Sequence, residues 1–247
     1  MILPNPRDAI HKAWLYRVLT AICDSPQLSG VLYFKGGTCA ALRGFLDRFS
    51  IDIDFDYVGA KAALPSTRQL LEDVFAGLGL EIKDKSVSAP QYFLKYPADR
   101  SGQRNTLKID ITMPPPTSNK YEAVRLDDID RVMYCQTAAT MFGNKLVALI
   151  ERFEKNGSIA GRDLYDIHHF FLQGLRYDAA VIRERRGVAA LDFFRQLVVF
   201  VEDNVTQTTI DQDINMLLPD EKFQRLRKVI KPEVLLFLKD EAGRLAG

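Results

Sequence analysis

The sequence predicts an α+β protein, a mixed β-sheet with flanking helices followed by a helical carboxy-terminal half. Three observations predict it. Ile51, Ile53, Phe55 and Tyr57 alternate with Asp52, Asp54 and Asp56, the period of a strand with one buried face. Ile10, Ala13, Trp14, Val18, Ala21 and Ile22 recur at the three-and-four spacing of one helical face. From about residue 137 onward the pattern becomes long and helical with few strand signals, so a boundary is expected there, between a mixed α/β half (1–136) and a helical half (137–247).

Taken in order, the first helix is expected over residues 8 to 23 and is broken by Pro26 and Gly30. Val31 to Phe34 reads as a short buried strand, Gly36 and Gly37 as a tight turn, and Thr38 as the cap of a helix running to about Leu46. After the acidic strand, Pro65 and Ser66 open a helix that carries Leu70, Leu71, Val74, Phe75 and Leu78 and stops at Gly79. Extended segments follow near residues 80–87, 91–96 and 104–112, with a further one after Pro114, Pro115 and Pro116. In the helical half, Leu191, Phe194, Leu197, Val198 and Val201 share one amphipathic face, and Val234, Leu235, Leu238 and Leu245 belong to a terminal helix.

Bulk properties narrow the function classes. With 47% apolar residues over 247 positions, a well-buried core is expected. The 33 basic and 32 acidic residues leave a formal charge of +1, so no global field draws the chain to nucleic acid or an anionic membrane. The start of the sequence lacks the layout of a signal peptide, and no apolar run approaches the roughly 20 residues of a membrane span. A soluble cytoplasmic protein with no membrane partner is the expectation. Cys23, Cys39 and Cys135 are odd in number and set among apolar neighbours, which suits reduced core thiols.

The chemistry concentrates on the acidic strand. Asp52 and Asp54, two residues apart, project from one side at roughly 7 Å separation, where at an effective dielectric near 20 they repel by roughly 2 kcal/mol. A divalent cation removes that repulsion, and hard carboxylate oxygens suit Mg²⁺ or Mn²⁺ together with substrate phosphates. The alternative is a solvated face paired with Arg43, Arg48 and lysines. In Leu107 to Thr112 the apolar residues again fall on one face, so Asp110 is presented from a second strand, either as a third metal ligand or as the salt-bridge partner of Lys108.

Lys35, Gly36, Gly37 and Thr38 sit where a strand feeds a helix, so bare backbone N–H groups can approach a phosphate. In the helical half, Lys145 and Arg152 share a helical stripe, and Asp163 and Asp166 share a face of the next helix. They form either a triphosphate clamp or interhelical salt bridges. His168 and His169 diverge by about 100° on a helix and read as core or surface residues. The basic clusters at 183–186 and 225–228 read as solvated helical faces.

These residues resemble the AbiEii/AbiGii toxin family of nucleotidyltransferases. The likeness rests on Phe34 to Thr38, on Arg48 to Phe55, on Lys145 with Arg152, and on Arg162 to Asp166, in the family's order. Gly157 and Ser158 lengthen the link ahead of Arg162 relative to the family pattern.

The resemblance implies a nucleotidyltransferase-like sheet domain. It places Lys35, Gly36, Gly37, Thr38, Arg48 and Ser50 near the nucleotide phosphates and makes Asp52 and Asp54 metal ligands, with Asp110 as a third acid. Lys145, with Arg152, Arg162 and Asp166, would contact the nucleotide, and Asp163 or Asp166 would complete the active site. It also implies Mg²⁺ or Mn²⁺, an NTP substrate, an RNA (perhaps tRNA) or protein hydroxyl as acceptor, and an antitoxin protein as partner in a toxin–antitoxin or abortive-infection system. A kinase-like phosphotransfer, in which Ser50 or a partner hydroxyl takes the γ-phosphate, and a non-catalytic nucleotide-binding module are the competing readings.

Overall fold

The computed structural model describes residues 1–86, 90–97 and 104–247. The chain forms two compact units that divide between Thr137 and Ala138, with Pro116–Asn119 belonging to the second. The first holds a seven-stranded sheet in the order β3-β4-β5-β2-β1-β7-β6. Its strands are β1 (Leu32–Lys35), β2 (Asp52–Tyr57), β3 (Glu81–Lys85), β4 (Gln91–Lys95), β5 (Thr106–Thr112), β6 (Tyr121–Leu126) and β7 (Arg131–Gln136). Pairing is mixed: β2 runs antiparallel to β1 and parallel to β5, while β7 runs parallel to β1. Residue 87, the last of the expected segment 80–87, lies outside the described residues.

Register explains why the sheet has one apolar and one polar face. Phe34 lies opposite Phe55 and Cys135, Ile53 opposite Ile109, and Phe55 opposite Ile111, and all of these are buried. Each such side chain removed from water contributes roughly 1.5–3 kcal/mol. Around this core lie the helices α1 (Ala9–Cys23), α2 (Pro26–Ser29), α3 (Gly36–Leu42) and α4 (Leu64–Gly77), with α1 packing on β5 and β7 through a face that includes Trp14, Leu15, Val18, Leu19 and Ile22. The alternate residues form the opposite face. There Lys35, Asp54, Asp110 and Gln91 lie opposite one another across β1, β2, β5 and β4.

Two local expectations are corrected. Gly36 and Gly37 are the first residues of α3 itself, with Lys35 as its extended amino-terminal flank, rather than a turn ahead of a helix capped by Thr38. The helix ends at Leu42, where Gly44 takes a positive φ of 76° and the chain turns back, so that Phe45 and Leu46 donate backbone hydrogen bonds to Ala40. The extended stretch expected after Pro116 resolves into the antiparallel β6–β7 hairpin.

The second unit is all helical: α5 (Ala138–Asn156), α6 (Gly161–Leu172), α7 (Ala179–Arg186), α8 (Ala190–Asn204), α9 (Gln207–Ile214), α10 (Asp220–Leu226) and α11 (Ile230–Ala246). Phe142 lies 5.2 Å from Phe170 and 4.8 Å from Phe171, edge to face, within its core. Helix α6 packs on α9 at Gly161, where a Cβ would stand 2.5 Å from the carbonyl oxygen of Thr209, so only glycine permits that approach. Glu184 accepts from the backbone N–H groups of Thr117 and Ser118 at 2.7 Å each, which ties the 116–119 segment to α7.

Candidate active site

Strand β1 leaves the sheet through Gly36, whose φ of 77° an L-residue rarely adopts. A Cβ there would stand 2.2 Å from Oδ2 of Asp54, and one at Gly37 would stand 2.7 Å from Nη2 of Arg48 and 3.0 Å from Oγ of Ser50. The double glycine is thus the floor of a small cradle ringed by Asp54, Arg48 and Ser50. These residues come from two sequence motifs, and the antiparallel β1–β2 pairing brings them together, with Lys35 directly opposite Asp54.

Beneath the cradle, several predicted residues hold others in place. Thr38 is fully buried and donates its hydroxyl to the backbone carbonyl of Asp52, fixing the start of β2. Arg48, 2% exposed, donates from Nη1 to the carbonyl of Phe49 at 2.8 Å. Lys35 donates to Oδ1 of Asp56 and to Oγ1 of Thr112, both at 2.6 Å. Asp56, fully buried, also accepts from Tyr121 and Gln136 at 2.7 Å each. That network spans β1, β2, β5, β6 and β7 and was not legible in the sequence. Its one local signal is that Asp56 is the third acid of the alternation and lies deeper along the strand.

Asp52 and Asp54 are half-buried, whereas Asp56 is closed off from water. Asp110, paired directly with Asp54 across β2 and β5, accepts at Oδ2 from Lys108 at 2.6 Å and from Gln91 at 2.9 Å. Burial would raise its pKa, but the bond and charge of Lys108, with Gln91 and the charge of Lys35, hold it below the usual carboxylate value. Among the described residues no group of three or more acidic, histidine or cysteine side chains is gathered closely enough to hold a metal ion by itself. Two carboxylates on alternate positions of one strand, beside a cradle without Cβ atoms, match the donor set Mg²⁺ takes when phosphates and water complete its shell.

In the helical unit the predicted cluster does assemble. Lys145 on α5 lies 2.8 Å from Oδ1 of Asp163 and 2.8 Å from Oδ2 of Asp166 on α6, and Arg152 lies 3.1 Å from Oδ2 of Asp163. The added Gly157 and Ser158 therefore leave Asp163 facing Lys145. Both acids are buried. Burial would raise the Asp163 pKa, yet the charges of Lys145 and Arg152, with the Lys145 hydrogen bond and Arg162, bring it down to about 2.

The remaining polar clusters find partners. His168 is buried and bonds Glu233 at 2.5 Å, and His169 bonds Gln173 at 2.7 Å. Arg185 bonds Glu151 and Asn144, Arg186 bonds Glu154, and Arg227 bonds Asp211. Cys39 and Cys135 are buried free thiols, and Cys23 is a half-buried one. A cavity of about 630 Å³ lined by Tyr16, Arg17, Asp24 and Asp128 opens beside α1, away from the polar sheet face, and two of its acids are already engaged, Asp24 by Arg131 and Asp128 by Tyr16. No described helix is long and apolar enough to cross a membrane.

Comparison with known proteins identifies the fold and the family. A proposed nucleotidyltransferase from H. pylori, known from its crystal structure, superposes with a TM-score of 0.58 at 20% identity, covering 98% of each chain. JHP933 from Helicobacter pylori superposes with a TM-score of 0.53, also at 20% identity, covering 99% of this chain and 98% of that one. Both likenesses speak to the fold. No curated protein matches the sequence at a significant level. A family model described as nucleotidyl transferase AbiEii toxin, type IV toxin–antitoxin system, matches residues 17–236. That span takes in the glycine cradle, the acidic strand and the Lys145 cluster, and the chain belongs to the AbiEii family of nucleotidyltransferases.

Proposed function

We propose that this chain transfers a nucleoside monophosphate from an NTP to a hydroxyl of an RNA or protein acceptor, with Asp52 and Asp54 holding the divalent metal that accompanies the triphosphate. The observation that carries the reading is the approach of Gly36 and Gly37 to Asp54, Arg48 and Ser50, a cradle without Cβ atoms beside the Asp54 carboxylate. Backbone N–H groups at the start of α3 and the Ser50 hydroxyl bind phosphate oxygens there. Arg48 adds positive charge from beneath, and Thr38 holds Asp52 at its backbone. When bound, Mg²⁺ or Mn²⁺ supplies charge neutralisation on the phosphates and the departing pyrophosphate.

In the transfer itself a bond forms between the acceptor oxygen and the α-phosphorus. The bond to the α–β bridging oxygen breaks, and pyrophosphate leaves. The hydroxyl proton passes to water, and Asp110, paired with Asp54 across β2 and β5, is the third acid of the site. Within the second unit, Asp163 and Asp166 orient the Lys145 amine. Family membership also supports an antitoxin protein as partner and the cytoplasm as the site of action.

Incubation with α-³²P-labelled NTPs, Mg²⁺ or Mn²⁺ and total bacterial RNA or lysate tests this. Label is expected on the acceptor from the α position, and it should be lost in Asp54→Asn with the fold intact. Label arriving only from the γ position would identify a phosphotransferase instead.

A further inference from the structure

Beyond the acids, the polar face of the sheet carries an aromatic patch that the reaction outlined above does not use. Tyr33 precedes Lys35 by two residues on β1 and so shares its face, directly opposite Asp56. Phe34 pairs with Cys135 on the buried face, which sets the neighbouring Tyr134 of β7 beside Tyr33 on the polar one. Their rings stack at 4.8 Å with 24° between planes. Tyr121 of β6 meets Tyr33 edge to face at 4.8 Å, and its hydroxyl is bonded to Asp56. Tyr134 is 47% exposed and Val132, on the same face, 60%. Tyr33 is half-buried beneath the exposed Tyr134, and an exposed ring held by stacking on a sheet face is a surface on which a π-system can lie.

Direction along the strands selects the occupant. The glycine cradle lies where β1 ends and β2 begins, Asp52 and Asp54 come next, and Asp56 with Tyr33 lies farther along. In-line displacement places the attacking oxygen opposite the departing pyrophosphate. With the triphosphate over the cradle, the acceptor therefore enters from the tyrosine side. Tyr33 and Asp54 are diagonal neighbours on adjacent strands, about 7–8 Å apart, close to the span of one nucleotide.

We propose that Tyr33 and Tyr134 form a stacking platform for the terminal base of the acceptor, an unpaired RNA 3′ end whose hydroxyl is thereby presented toward Asp54. This rests on the transfer reading and names its acceptor as single-stranded RNA. Tyr121 acts as a positioning residue, bracing Tyr33 from one side while anchored on Asp56. Stacking is tolerant of base identity, so the platform sets the kind of acceptor end rather than its sequence.

The test is a fluorescence-anisotropy titration of the full chain with a 5′-fluorescein, random-sequence, single-stranded octaribonucleotide. Tyr134→Ala, at an exposed position, is expected to weaken binding by about 10- to 100-fold with an unchanged melting temperature. Tyr134→Trp is expected to retain binding, and Tyr33→Leu provides a second variant. In turnover with α-labelled NTP, Tyr134→Ala should raise the half-saturating RNA concentration and leave the NTP KM unmoved. Equal octamer binding by wild type and Tyr134→Ala overturns the proposal. So does a rise in the NTP KM alone, which would put the donor base on the platform, or label that resists ribonuclease and yields to protease, which would make the acceptor a protein. An Asp54→Asn variant that labels RNA as well as wild type would sink the transfer reading, a result separate from the octamer titration.

Discussion

At the scale of single residues, the two glycines are the most constrained positions of the site. Gly36 combines a left-handed φ with a Cβ position 2.2 Å from the Asp54 carboxylate. Gly36→Ala is expected to lower stability by about 1–2 kcal/mol through the backbone alone, read from the urea midpoint. It should cost activity more, roughly 100-fold in turnover, because the methyl group displaces Asp54. An active Gly36→Ala enzyme of reduced stability would separate the cradle from the chemistry. The glycine pair and Asp52/Asp54 were legible because alternation and a strand-to-helix break are local signals. The partners of Lys35 were not, since Asp56 and Thr112 reach it only through strand pairing.

Asp163 makes a second residue-scale case. Its folded-state pKa is about 2, below the unfolded carboxylate near 4, so it contributes stability that is fully present above about pH 4 and is lost as pH falls toward 2. Asp163→Asn is therefore expected to cost roughly 2 kcal/mol at pH 7, with the gap to wild type narrowing in urea unfolding at pH 3. A gap that stays constant between pH 7 and pH 3 would show that the network with Lys145 and Arg152 does not hold the Asp163 charge in the folded state.

Among elements, sequence periodicity located α1, β2, α4 and β5 to within a few residues, and the apolar faces read at 191–201 and 234–245 fall within α8 and α11. It placed the glycines outside α3 because double glycine usually marks a turn. Here the two small residues begin the helix so that its first turn can lie against Asp54, Arg48 and Ser50. The β6–β7 hairpin was only a generic extended stretch in the sequence, since its turn around Asp130, at φ 54°, has none of the Asn-Gly or Asp-Gly signals that mark a hairpin. Gly161, just ahead of the Arg162 to Asp166 motif, is the close contact of α6 with α9. Gly161→Ala forces a methyl group against the Thr209 carbonyl and is expected to destabilise the chain by about 1–3 kcal/mol. Thermal unfolding checks this, and an unchanged melting temperature would mean the two helices slide apart freely.

For the molecule as a whole, a continuous supply of apolar residues announced a folded protein, and the chain forms two compact units. The proposed metal site of the first unit lies at one end of its sheet, where β1 meets α3 and β2 begins. In the proposed function, Asp52 and Asp54 grip a metal-bound triphosphate above the double glycine. The most direct measurement is Mn²⁺ electron paramagnetic resonance in the presence of a non-hydrolysable NTP analogue. Wild type is expected to immobilise the Mn²⁺–nucleotide complex, while Asp52→Asn/Asp54→Asn, equally folded by circular dichroism, should lose at least about tenfold in affinity. Equal binding by the double variant would contradict the account.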